Sequence, residues 1–253
     1  MKLHFVKYQA TGNDFVLVDN RNGAVKLSLN DIRFICDRKF GVGADGLMMI
    51  EKHPSLDFNL VYYNSDGSQS LCGNGSRAAV KMASSLGMVN GKASFNAYDG
   101  KHDAELNDGI VKLRMNDVTA SEGEDINTGS PHVIKFVENV SDYPVFEEGR
   151  KIRYSYENGT NVNFVQLLGD SKIFVRTYER GVENETLSCG TGVTAAALAA
   201  SFHKGYTSPI SVKTLGGDLS VEFKTSLPGH SVTFHDIFLI GPAKMVFEGD
   251  LEL

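Results

Sequence analysis

One nine-residue phrase is written twice in this chain. Leu71-Cys72-Gly73-Asn74-Gly75-Ser76-Arg77-Ala78-Ala79 returns as Ser188-Cys189-Gly190-Thr191-Gly192-Val193-Thr194-Ala195-Ala196. The two cysteines stand 117 residues apart (189 − 72), and the spacing persists downstream. Residues 94–100 match 211–217, and Glu105-Leu106 matches Glu222-Phe223. A chain repeated in this way is expected to fold as two related halves, each with one cysteine at the start of one helix. Its 253 residues suffice for two domains of about 100–150 residues each. The repeat places residues 1–117 in the first domain and 118–242 in the second. The remaining segment, 243–253, lies beyond both repeats and is expected to return to the first.

Strand signals are many and short. Residues 57–63 begin as an alternating strand and end more apolar. Residues 93–115 read as a meander turning at Asp99-Gly100 and Asp108-Gly109, residue pairs that readily supply positive φ. The second half repeats this with 210–215, a Gly216-Gly217 turn and 219–223. The clear helices run from about 74 to 86 and from about 191 to 203, with Gly87 and Gly205 beyond their ends. The second contains Ala195-Ala196-Ala197-Leu198-Ala199-Ala200, and a helix apolar all round is buried. The fold class expected is α/β of the α+β kind: two pseudo-symmetric domains, each a mostly antiparallel sheet wrapped around a central helix.

The totals exclude several functions. Net charge is −6, and no Lys/Arg cluster marks a nucleic-acid surface. No apolar run approaches the roughly 18–20 residues that span a bilayer. Met1-Lys2-Leu3-His4-Phe5 lacks a signal-peptide core, so a cytoplasmic location is expected. Three cysteines make an odd count, which points to free thiols rather than a disulfide framework. No Cys/His cluster has metal-ligand spacing, and Gly41-Val42-Gly43 is too short for a dinucleotide fingerprint. Neither metal nor cofactor is expected.

The repeated cysteine carries the chemistry. Unpaired N–H groups of a first helical turn, and the positive end of the helix dipole, lie beside each sulfur and favour thiolate. The same N–H groups suit a carboxylate. Two such helix starts acting on one substrate would set a thiolate and a thiol on opposite faces of an α-carbon. One removes the proton, the other returns a proton, and configuration inverts. An isolated cysteine reads more simply as a small buried hydrophobe. The matched context favours chemistry for Cys72 and Cys189, whereas Cys36 has no repeat partner and reads as structural.

At these residues the chain resembles the diaminopimelate epimerase family. The resemblance runs through Thr11-Gly12-Asn13-Asp14-Phe15-Val16, Gly41-Val42-Gly43-Ala44-Asp45-Gly46 and Asn64-Ser65-Asp66-Gly67-Ser68. It continues through the two cysteine phrases, Gly129-Ser130-Pro131-His132, Asn161-Val162-Asn163-Phe164 and Glu179-Arg180-Gly181. It implies a pyridoxal-independent isomerase interconverting LL- and meso-diaminopimelate, in the pathway to lysine and cell-wall precursors, and by analogy a homodimer. It implies Cys72 and Cys189 as acid/base residues, with His132 and Glu179 tuning them. Backbones of Gly73, Asn74, Gly190 and Thr191 would hold the reacting carboxylate. Asn13, Asn64, Asn161, Glu179 and Arg180 would hold the amino groups and the distal carboxylate, to which an Arg fork is suited.

The chain departs from the family pattern in three places. Ser130 stands where many members carry Asn, Gly46 where some carry Gln, and the 181–186 segment is about one residue longer. Two other readings use the same cysteine pair. A proline or hydroxyproline racemase of the same superfold would do so, but a substrate with one charged end does not need Glu179-Arg180 and the Asn set. A redox switch would join the two cysteines as a disulfide, although the chain lacks a Cys-X-X-Cys pair.

Overall fold

A computed structural model describes residues 1–121, 125–227 and 231–253. The elements run β1 (Lys2–Ala10), β2 (Asn13–Asp19), α1 (Leu29–Cys36), β3 (Gly46–Glu51), β4 (Phe58–Asn64), α2 (Gly73–Ser85), β5 (Lys92–Ala97), β6 (Gly100–Asn107) and β7 (Ile110–Arg114). They continue with β8 (Val118–Ala120), β9 (Ile126–Asn127), β10 (Pro131–Phe136), α3 (Val145–Arg153), β11 (Asn161–Gly169), β12 (Lys172–Glu179), β13 (Asn184–Thr186) and α4 (Gly190–Lys204). The last are β14 (Ile210–Thr214), β15 (Gly217–Ser226), β16 (Val232–Pro242) and β17 (Lys244–Glu252). The fold is mixed α+β, rich in strand and poor in helix. It divides into two compact units, Met1–Leu113 with Gly241–Leu253, and Arg114–Ile240.

In the first unit β17 pairs with β1, from Lys2 opposite Glu252 to Gln9 opposite Lys244. The ladder continues β1–β2–β3–β4–β5–β6–β7, with β2–β3 and β4–β5 parallel and the rest antiparallel. Phe15-Val16-Leu17-Val18 and Leu47-Met48-Met49-Ile50 are apolar without interruption because this sheet is covered on both faces. Val16, Val18, Leu47 and Met49 pack with Ile32, Ile35 and Cys36 of α1. The opposite face carries α2, which packs against β1, β2, β3, β4 and β6. Burial in this core pushes the Cys36 thiol up to about 11, which suits a structural role.

The second unit repeats the plan. Moved along by the repeat spacing, β2 to β6 overlap β10, β11, β12, β14 and β15, and α1 and α2 overlap α3 and α4. Its ladder runs β9–β10–β11–β12–β14–β15–β16–β8, with β10–β11 and β12–β14 parallel. Val162, Phe164, Phe174 and Tyr178 pack with Val145 of α3. On the other face Ala195 to Ala200 of α4 are all buried.

Two helices went unread in the sequence. Helix α1 is announced by a capping box, in which Ser28 Oγ accepts from Asp31 N–H and Asp31 answers to the Ser28 backbone. Helix α3 carries Glu147 and Glu148 in its first turn and Arg150, Lys151 and Arg153 in its last, as the helix dipole favours. One turn reading is displaced by a residue in both units. The tight turns are Tyr98-Asp99 and Leu215-Gly216, while Gly100 (φ 119°) and Gly217 (φ 139°) open the strands that follow. Both backbones need a residue without a Cβ there. Asp108 and Gly109 do form the other turn, both at positive φ.

Candidate active site

Each repeated cysteine is a helix N-cap in extended conformation: Cys72 (φ −128°, ψ 110°) before α2, and Cys189 (φ −115°, ψ 112°) before α4. Gly73-Asn74 and Gly190-Thr191 therefore supply the first-turn N–H groups that have no partner within the helix. The surroundings of the two sulfurs differ.

In the first unit the Gly75 N–H donates to Cys72 Sγ at 3.4 Å. Asn13 Oδ1 lies 3.6 Å from the same sulfur and accepts from Asn74 Nδ2 at 3.3 Å. Asn13 Nδ2 donates to Asp45 Oδ2 at 2.5 Å, and Arg77 Nη2 donates to Asn74 Oδ1 at 3.0 Å. Arginine only donates and an ionised carboxylate only accepts, so the two ends fix both amides between them. Asp45 is in turn held by Arg38 at 2.8 Å. Beside it Asp14 is partly buried, which opposes ionisation, yet Arg38 and Lys7 hold it at about 2. Asn64 is engaged within its own loop, donating to Ser68 Oγ at 3.0 Å and Ser70 Oγ at 3.2 Å. Its Oδ1 accepts from the Tyr62 hydroxyl at 2.8 Å. That tyrosine explains Gly46: a Cβ there would run into the Tyr62 ring and come within 2.8 Å of its hydroxyl.

In the second unit Thr191 Oγ1 lies 3.5 Å from Cys189 Sγ and 3.0 Å from His132 Nε2. The other ring nitrogen, Nδ1, is 3.0 Å from Asn163 Nδ2. The Asn163 amide is oriented by Val133 carbonyl, which accepts from Nδ2 at 3.4 Å, and by Thr177, whose hydroxyl reaches Oδ1 at 2.9 Å. Nδ1 then accepts, Nε2 carries the proton, and Thr191 is free to donate to the sulfur. His132 is fully buried; burial first, and the Arg180 charge second, lower it to about 3 and keep it neutral. Gly192 is required by this packing, since a Cβ there would run into Asn163 Oδ1 and meet His132 Cε1 at 3.3 Å.

Asn161 joins two further predicted residues. Its Nδ2 donates to Ser130 Oγ at 2.8 Å, and its Oδ1 accepts from the Arg180 N–H at 2.9 Å. The shorter Ser130 side chain thus reaches Asn161. Arg180 is exposed and donates to the Asn158 carbonyl at 3.2 Å. Glu179 Oε2 accepts from Thr186 Oγ1 at 3.0 Å. The longer 181–186 segment is tied down at Glu183 by Arg153 at 2.9 Å and at Glu185 by Arg176 at 2.6 Å.

Asp45, Arg77, Asn163 and Thr177 touch this machinery without having been singled out. Two signals were present. Asn163 lies two residues beyond Asn161, on the same strand face. Thr11-Gly12-Asn13 also recurs at the repeat spacing as Thr128-Gly129-Ser130.

The family model described as diaminopimelate epimerase matches residues 5–121 and 125–246. The chain belongs to the diaminopimelate epimerase family. Among its relatives, the diaminopimelate epimerase of Flavobacterium psychrophilum is 46% identical over 98% of this chain and 99% of its own. That of Aquifex aeolicus is 39% identical over 98% of both chains. Among solved structures, a Bacillus anthracis phenazine biosynthesis protein of the PhzF family matches over 100% of both chains with a TM-score of 0.78 at 14% identity. A hydroxyproline epimerase from Agrobacterium vitis matches over 100% of this chain and 93% of its own, with a TM-score of 0.73 at 14% identity. These two share the family's fold, and at that identity the likeness carries nothing further.

Proposed function

We propose that this chain is a cofactor-independent isomerase interconverting LL- and meso-diaminopimelate, a step of lysine and cell-wall precursor synthesis, with Cys72 and Cys189 as its two acid/base groups. The observation that carries this is the pair of cysteines, each capping the repeated helix of its own unit, in a chain of this family. First-turn N–H groups of Gly73, Asn74, Gly190 and Thr191 bind the reacting carboxylate. One sulfur removes the α-proton while the other delivers a proton to the opposite face. The α-proton of an amino acid is far less acidic than a thiol, so fixed N–H donors must stabilise the carbanionic transition state. Asn13, Asn64, Ser130, Asn161, Glu179 and Arg180 recognise the amino groups and the distal end. His132 and Glu179 tune the thiols.

The same reading makes the enzyme a cytoplasmic homodimer of two-domain subunits. Exposed Met245, Val246 and Phe247 on β17 support a second copy docking there. No helix among the described residues is long and apolar enough to cross a membrane.

Exchange of solvent deuterium into the α-position is the test. Wild type exchanges with diaminopimelate and not with proline. Cys72→Ala and Cys189→Ala each lose about 10²–10⁴-fold or more in epimerisation, the range that a general acid or base contributes. A variant near wild-type rate would contradict the two-thiol mechanism, and exchange with proline alone would point to the racemase reading.

A further inference from the structure

Arg77 heads the fully buried side chains by volume, with no measurable exposure. Its Nη2 donates to Asn74 Oδ1 at 3.0 Å and Thr11 Oγ1 at 3.3 Å. Its Nε and Nη1 are buried with no hydrogen-bond partner among the described residues. No carboxylate pairs with it among those residues. Burying a guanidinium without a counter-ion is costly. Burial lowers Arg77 to about 10, so it stays charged at neutral pH, and the one titratable group acting on it in return is Cys72.

Most charged groups on elements packed against α2 have partners elsewhere. On β1, Lys2 and His4 each face Asp250 at 3.1 Å, and the tyrosines there and on β4 (Tyr8, Tyr62 and Tyr63) are neutral phenols at neutral pH. Lys7 on β1 and Asp14 on β2 pair at 2.7 Å. Glu51 on β3 accepts from Asn20 at 2.8 Å, and Asp19 on β2 pairs with Arg21 at 2.7 Å. On β6, Lys101 pairs with Asp103 at 3.3 Å and His102 pairs with Asp99 at 2.7 Å, and Glu105 lies on the same strand. The repeat offers an internal control. The residue that matches Arg77 in the second copy is Thr194, whose hydroxyl donates to the Gly190 carbonyl at 3.0 Å. Cys189 has a neutral imidazole and a hydroxyl in its surroundings instead, and the Arg180 charge that acts on that imidazole is exposed and screened by solvent.

We infer that Arg77 is a positioning residue for Cys72: its sealed cation makes Cys72 the more readily ionised of the two active-site thiols. Two of its neutral contacts act in opposite directions, the Gly75 N–H favouring thiolate and Asn13 Oδ1 favouring S–H, and the Arg77 charge adds to the thiolate side. In the resting enzyme Cys72 is then the proton acceptor and Cys189 the donor. The inference rests on the epimerase reading of the two thiols.

Alkylation of the full chain by iodoacetamide, followed at each cysteine as pH rises, tests it without substrate. In the unaltered chain Cys72 reaches its midpoint before Cys189 and below the ordinary thiol value of about 8.5. In Arg77→Met the Cys72 midpoint rises by about one pH unit or more, roughly tenfold less thiolate at neutral pH, while the Cys189 midpoint stays in place. Arg77→Lys keeps most of the effect, because an ammonium retains the charge. A folded Arg77→Met protein with an unmoved Cys72 midpoint overturns the inference. Should that variant not fold, the unaltered chain decides: Cys72 titrating after Cys189 overturns it. Deuterium exchange into diaminopimelate, run on the same preparations, keeps the two readings apart. Exchange without the Cys72 shift removes only the role of Arg77, and the shift without exchange removes only the epimerase.

Discussion

Cys72 and Cys189 hold the same place in the repeat and meet different chemistry. One sulfur faces the Asn13 amide, clamped between Asp45 and an Asn74 that Arg77 holds, the other a hydroxyl aligned by neutral His132. That neutrality has a thermodynamic signature. With its folded pKa lowered to about 3, His132 binds fewer protons in the folded than in the unfolded chain at any pH below about 6.5. Its contribution to stability is complete above that value and is lost as pH falls, by up to about 1.4 kcal/mol per unit. Between pH 6.5 and 5 most carboxylates stay ionised, so His132 dominates the change there. Denaturant unfolding of the wild type is expected to lose roughly 1–2 kcal/mol across this window, and His132→Gln to lose little. A flat wild-type profile would count against a buried neutral imidazole.

At the scale of elements, the two cysteine helices were readable because their signals are local. The Cys-Gly start and the glycine just past the last turn are each read from a few neighbouring residues, and in α4 an unbroken apolar run joins them. Helices α1 and α3 give a weak periodic signal over eight or nine residues, and the better clues are the capping box of α1 and the acidic-to-basic charge order of α3. Close packing of α4 on β10 and β11 leads to a further expectation. Gly192→Ala drives a methyl group into Asn163 and His132 and should cost about 1–3 kcal/mol of stability, as overpacking does. It should also slow epimerisation by disturbing Thr191. Thermal unfolding with a steady-state assay measures both, and an Ala variant with unchanged melting temperature and rate would show the space to be adaptable.

For the molecule as a whole, the return of β17 to β1 closes the first unit across nearly the entire sequence. Leu251 and Leu253 pack against its core, and Phe247 meets Phe5 edge-on at 5.9 Å. A chain ending at Pro242 leaves β1 without this neighbour and exposes Leu3 and Phe5. Hydrogen exchange should then show β1 and β2 losing protection, while α4 and β11 keep theirs. Full protection of β1 in the truncated chain would contradict a structural role for the return.

The repeat, the helix starts and the identity of the two sulfurs were determined by the sequence alone, because caps and turns depend on neighbours a few residues away. Asp45 reaches Asn13 across 32 residues, Asn163 meets His132 across 31, and Arg77 touches Thr11 across 66. Those partnerships were decided by strand register and helix packing, since a hydrogen bond between distant residues exists only once the sheet has set which side chains share a face. The same holds for the charge buried beside one cysteine and not the other: Arg77 stood in plain sight in the repeated phrase, and only its complete enclosure distinguished it from a solvated cation.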